Sequence, residues 1–154
     1  MKSKTYSFDS LIEITKRPPA VFIEGRGGWL TDASGKKYLD FIQGWAVNCL
    51  GHSPRVLVEA LSKQAKKPIN FSPAFYNEGM IRLADLIKNH SCLQRTFFAN
   101  SGAEANEGAI KLARKWGQKY RNGAYEIITM DHAFHGRTLA TMSASGKPEW
   151  AQLY

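Results

Sequence analysis

The chain has 154 residues, 44% of them apolar and 12% aromatic, with an ordinary charged fraction of 22%, so it can bury a core and is too apolar for a disordered chain. Twenty-one Lys and Arg against 13 Asp and Glu give a formal charge of +8, which suits nucleic acid, an anionic surface or a phosphorylated ligand without choosing among them. The basic residues are spread, the densest pairs being Lys36-Lys37 and Lys66-Lys67, and no aromatic-basic interleaving accompanies them, so nucleic-acid binding is not expected.

Tyr6 to Ile14 alternates apolar with polar residues and lacks the continuous apolar core of a secretory signal, and no stretch approaches the ~20 apolar residues of a membrane helix. A soluble cytoplasmic protein without membrane association is expected. Ala20-Val-Phe-Ile-Glu-Gly25, Gly28-Trp-Leu-Thr-Asp32 and Lys37-Tyr-Leu-Asp-Phe-Ile42 read as short strands of a β-meander. Asp32-Ala-Ser-Gly35 marks one turn. Gly25-Arg-Gly-Gly28 lacks the strand-to-helix setting of a dinucleotide fingerprint and reads as another. Cys49 and Cys92 have no C-x-x-C spacing or finger context, the pattern of two reduced thiols.

Ser53-Pro54 predicts a helix start, with Ser capping and Pro in the first turn, followed by an apolar face of Val56, Leu57, Ala60, Leu61 and Ala65. Asn77 predicts a second cap, for a helix through Met80, Ile81, Leu83, Ala84 and Ile87 that fades near Asn89-His90. Thr96-Phe-Phe-Ala99, Gly102 to Tyr120 and Glu126-Ile-Ile-Thr-Met130 then read as strand, long helix and strand, a right-handed βαβ unit in a parallel sheet. The class expected is α/β, with residues 1–51 holding the meander and 52–154 the start of an α/β domain. An open parallel sheet needs several such units, so the chain reads as truncated.

The chemistry concentrates in Phe98-Ala-Asn-Ser-Gly-Ala-Glu-Ala-Asn-Glu-Gly-Ala-Ile-Lys-Leu-Ala-Arg114, where a turn of small residues follows a strand and opens a helix. The first N–H groups of a helix lack internal partners and carry about half a positive charge, so a phosphate can sit on the amides of Gly102 and Ala103 beside the Ser101 hydroxyl. The same residues also read as a plain capping box, Ser101-x-x-Glu104. Gly108 inside the helix implies close packing against a neighbour. Asp131-His-Ala-Phe-His-Gly-Arg137 follows the second strand, where α/β folds place ligands. Phe134 can stack on a planar ring and Arg137 can bind a carboxylate, or the pair can be a core Phe and a surface Arg. His132-x-x-His135 has no third ligand to support a metal, so none is assigned.

Together, Asn100 to Glu107 and Phe134 to Thr138 resemble the paired motifs of the class III pyridoxal-phosphate-dependent aminotransferases. Trp29 to Phe41 and Ala46-Val-Asn-Cys-Leu-Gly-His52 are similar to the acetylornithine branch. The resemblance implies a fold type I transferase, the meander belonging to its small domain and the rest to its large domain, and a homodimer with sites at the subunit interface. It implies pyridoxal 5'-phosphate held by Ser101, Gly102, Ala103 and Phe134, and a substrate carboxylate held by Arg137. The reaction implied is transfer of the terminal amino group of N2-acetylornithine, or a close acylated diamine, to 2-oxoglutarate in arginine biosynthesis. Ornithine, succinylornithine and 4-aminobutyrate relatives share these motifs.

In that family the Schiff-base lysine lies downstream of Phe-His-Gly-Arg, so no catalytic lysine is assigned in this chain and the chain alone is expected to be inactive. Lys111 sits inside the long helix and does not match it. Trp45 and Gly108 depart from the commonest pattern, where a smaller aliphatic residue and Ala stand, and Trp45 lies in a segment that shapes the substrate side in the family. A non-catalytic fragment with exposed apolar surface is the competing expectation.

Overall fold

The computed structural model describes residues 6–70 and 72–152. The chain packs as two compact units, Met1–Phe75 and Tyr76–Tyr154.

The first unit is built on the expected meander. Strands β1 (Phe22–Arg26), β2 (Trp29–Asp32) and β3 (Lys37–Leu39) form an antiparallel sheet in the order β1-β2-β3. Arg26 pairs with Trp29, so Gly27 and Gly28 make the tight turn, and Gly27 takes a φ of +56° that glycine adopts without strain. The second turn is organised by Asp32. Its Oδ1 accepts from the Ser34 N–H at 2.8 Å, the Ser34 hydroxyl at 2.6 Å and the Lys36 N–H at 3.0 Å, while Oδ2 accepts from the Tyr38 hydroxyl at 2.8 Å. These bonds, that of the Ser34 hydroxyl foremost, stabilise the carboxylate and lower its pKa to about 2.

Beyond β3 the backbone makes a left-handed turn, α1 (Gln43–Ala46), with φ of +49° at Gln43, +62° at Gly44, +65° at Trp45 and +62° at Ala46. Such a conformation costs about 1–2 kcal/mol per non-glycine residue and needs external support. Asp40 supplies it. One carboxylate oxygen accepts the Ile42 and Gln43 N–H groups at 2.9 Å each, and the other meets His52 Nε2 at 2.7 Å. His52 is in turn tied to the β1–β2 turn by reciprocal backbone bonds with Gly27 at 2.9 and 2.7 Å.

Helix α2 (Arg55–Gln64) starts one residue later than expected. Pro54 takes the N-cap place, its carbonyl accepting from Leu57 and Val58, and Ser53 stands in the left-handed region at φ +49° instead of capping. Proline offers no side-chain acceptor, so this end has no side-chain cap.

In the second unit, Asn77 caps α3 (Glu78–Asn89) as expected, its side chain accepting from the Met80 N–H at 2.8 Å. Helix α4 spans Gly102–Tyr120, and the short α5 (Leu139–Ala144) and a 3-10 turn (Pro148–Gln152) follow. Gly108 packs on Phe97, as its place inside the helix implied: a Cβ there would lie 3.1 Å from Phe97 Cε1. The βαβ expectation needs correction. Neither Thr96–Ala99 nor Glu126–Met130 forms a strand, and among the described residues the antiparallel meander is the only sheet. An antiparallel meander closes through local turns, whereas a parallel strand needs non-local neighbours on its hydrogen-bonding edges. Among the described residues no apolar side chain is fully buried.

Candidate functional site

Helix α4 is opened by Ser101, whose backbone is extended at φ −151°, ψ 162° and whose Oγ accepts from the Glu104 N–H at 3.2 Å. The Glu104 carboxylate reaches back to the Asn100 N–H at 2.6 Å, so both arms of the box are engaged, the second one residue upstream of the usual partner. The first intrahelical bond runs from the Ala105 N–H to the Ser101 carbonyl at 3.0 Å. The N–H groups of Gly102 and Ala103 therefore have no acceptor within the helix. Gly102 is exposed, and a Cβ added there would meet nothing within 4 Å. Capping and anion binding are compatible here, because Ser101 Oγ accepts through a lone pair and keeps its proton to donate.

The segment carrying Phe134 and Arg137 is brought to this helix end. Gly136, at φ +133°, lies so close to the first turn of α4 that an added Cβ would sit 2.7 Å from Ala103 Cβ and 2.7 Å from Thr141 Oγ1. The His135 N–H donates to Ser145 Oγ at 3.0 Å, and that hydroxyl donates to the Thr141 carbonyl at 2.8 Å. Paired backbone bonds, His132 N–H to Gly146 O and Gly146 N–H to Ala133 O at 3.1 Å each, fix the start of the segment. Thr141 is fully buried and its hydroxyl accepts from the Thr138 N–H at 3.0 Å, which starts α5.

All five residues singled out in the sequence thus fall in one unit, with Ser101, Gly102 and Ala103 at the mouth of α4 and Phe134 and Arg137 flanking the Gly136 contact. Phe134 is 56% exposed and is not a core residue. Its ring has the Arg137 guanidinium carbon and Lys147 Nζ each 5.9 Å from its centroid and meets Trp150 edge-on at 6.0 Å. Sequence reasoning missed Thr141, Ser145, Lys147 and Trp150, and the packing role of Gly136. A glycine between a ring and a guanidinium was the visible signal of a close backbone approach. Among the described residues no group of three or more potential metal ligands is assembled, His132 and His135 included. No described helix is long and apolar enough to cross a membrane.

The donor set fits pyridoxal phosphate: two free amides at a positive helix end for the phosphate, an exposed aromatic ring for the pyridine and a guanidinium for a carboxylate. The class-III aminotransferase family model matches residues 13–153. The acetylornithine aminotransferase of Ralstonia nicotianae is 66% identical over 97% of this chain and 38% of its own length. Acetylornithine aminotransferase 2 of Bordetella bronchiseptica is 61% identical over all of this chain and 39% of its own length. The chain therefore spans about two fifths of the length of these relatives. Among solved structures, the ornithine aminotransferase of Toxoplasma gondii, with PLP at partial occupancy in its active site, superposes with a TM-score of 0.84 at 26% identity over 92% of this chain and 34% of that one. A transaminase from the marine bacterium Virgibacillus gives 0.77 at 35% identity over 86% of this chain and 31% of its own. The fold is thus the α/β fold type I of pyridoxal-phosphate-dependent transaminases, and the chain belongs to the class-III aminotransferase family.

Proposed function

We propose that the protein is a pyridoxal-phosphate-dependent aminotransferase that moves the terminal amino group of N2-acetylornithine to 2-oxoglutarate, a step of arginine biosynthesis. The observation that supports this reading is the seating of Gly136 on Ala103, which packs the segment carrying Phe134 and Arg137 against the first turn of α4. The amides of Gly102 and Ala103 and the Ser101 hydroxyl donate to the cofactor phosphate, Phe134 stacks on its ring, and Arg137 takes the carboxylate of donor or acceptor through two parallel hydrogen bonds. The bound cofactor supplies the carbonyl carbon that takes up the amino group and the electron sink. These residues bind and orient, and no lysine of this chain is assigned to covalent attachment.

In this architecture residues 1–51 belong to the small domain and 52–154 to the start of the large domain, and the working enzyme is a homodimer. The choice of acetylornithine is supported by the names of the Ralstonia and Bordetella relatives. A succinylornithine transaminase of Citrobacter koseri, 46% identical over 87% of this chain, keeps the succinyl group as the second reading. The test is glutamate production by the protein expressed from its whole reading frame, with 2-oxoglutarate as acceptor and acetylornithine, succinylornithine, ornithine or 4-aminobutyrate as donor. Highest kcat/KM with acetylornithine is expected. Preference for another donor would replace the substrate assignment, and no glutamate from any donor would remove the activity.

A further inference from the structure

Three contacts join one stripe of α4 to the segment that carries Phe134 and Arg137. Ala103 abuts Gly136, the Asn106 side-chain amide donates to the His135 carbonyl at 2.7 Å, and the Thr138 hydroxyl donates to the Glu107 carboxylate. Positions 103, 106 and 107 are spaced i, i+3 and i+4, so they share one face of the helix. The two hydrogen bonds bracket Gly136 and Arg137, one on the residue before them and one on the residue after.

Asn is a poorer helix former than Ala, and neither Asn106 nor Glu107 caps the helix, whose N-terminus is served by Ser101 and Glu104. The half-buried Asn106 amide instead satisfies a backbone carbonyl 29 residues away in sequence. The helix end beside this stripe is where the phosphate is read to bind. A fixed link between α4 and residues 135–138 therefore sets the distance from phosphate to ring and guanidinium.

We propose that Asn106 and Glu107 are positioning residues that clamp the Phe134–Arg137 segment to the phosphate-binding end of α4, through His135 O and the Thr138 hydroxyl. The proposal rests on reading this site as the pyridoxal-phosphate site. A misplaced guanidinium weakens carboxylate binding and a misplaced ring alters the asymmetry felt by the cofactor, while the phosphate amides stay where they are.

The test uses the protein expressed from its whole reading frame and three variants: Asn106→Ala, Thr138→Val and Thr138→Ser. Measured are pyridoxal-phosphate affinity, the induced circular dichroism of the bound cofactor, KM and kcat for 2-oxoglutarate, and melting temperature. Asn106→Ala and Thr138→Val are expected to raise KM about tenfold and weaken the induced band, with cofactor affinity changed less than about threefold. Thr138→Ser, which keeps the hydroxyl, is expected to stay near wild type. Lowered melting temperatures with KM and the induced band unchanged would make the contacts merely structural and overturn the proposal. Should Asn106→Ala fail to fold, the Thr138 pair decides alone. Wild-type protein that shows no cofactor band would overturn the reading of the site itself and the proposal with it, an outcome separate from a wild type that binds and variants that do not differ.

Discussion

At the scale of single residues, glycine and aspartate carry the most specific demands. Gly136 is held at φ +133° with Ala103 Cβ and Thr141 Oγ1 both 2.7 Å from where a Cβ would stand. Gly136→Ala is expected to destabilise the second unit by about 3 kcal/mol, through overpacking and an unfavourable backbone conformation, measured by chemical denaturation. Asp32 titrates at about 2 in the folded state, below its ordinary value near ~3.9. A depressed folded-state pKa means that its stabilising contribution is present in full above the unfolded value and is lost as pH falls through about 2. Asp40 is shifted in the same direction, by the Gln43 N–H first and His52 next. Acid titration followed by NMR of the meander amides is expected to show turn bonds lost between about pH 4 and pH 2, with that dependence reduced in Asp32→Asn. Ser101-x-x-Glu104 and the Asp32 turn were legible in the sequence because their bonds are local. The bonds from Ser145 to His135, 10 residues apart, and from His52 to Asp40, 12 apart, were not, because no local spacing rule predicts them.

At the scale of elements, helices with a strong cap or a long periodic run were legible nearly to the residue. Asn77 caps α3, and Gly102–Tyr120 is the span expected for α4. The short α5 was not read, because its start depends on buried Thr141 and the Thr138 turn and not on periodicity. The segments 96–99 and 126–130 have strand-like composition without strand partners, since β-propensity measures fit to a neighbouring surface and not an intrinsic backbone state. Gly108 offers a test of α4. Alanine there gains about 1 kcal/mol of helix propensity, against contact with Phe97 at 3.1 Å. Phe97 is 75% exposed, so its ring can yield. Gly108→Ala is therefore expected to raise stability by about 0.5 kcal/mol, read as a higher melting temperature; a loss of more than about 1 kcal/mol would mean that the Phe97 contact is rigid.

At the scale of the whole molecule, the described residues expose apolar side chains on nearly every element, among them Leu61 on α2, Leu86 on α3 and Leu112 on α4. These helices are amphipathic, yet their apolar faces are not buried within either unit. Apolar periodicity marks such faces in the sequence, but not what covers them. The functional assignment rests instead on a single helix end and the segment packed beside it. The measurement that tests it most directly is the affinity of the protein, expressed from its whole reading frame, for pyridoxal phosphate after Gly102→Asp. Nothing lies within 4 Å of a Cβ at Gly102, and an acidic residue in the first turn of α4 favours the helix, so the fold should be retained. A carboxylate there would occupy the place of the phosphate and repel it. Thermal stability is expected to be unchanged or slightly raised, with pyridoxal-phosphate affinity lowered by about a hundredfold or more. A folded variant that binds the cofactor as tightly as the wild type would contradict the placement of the phosphate on this helix.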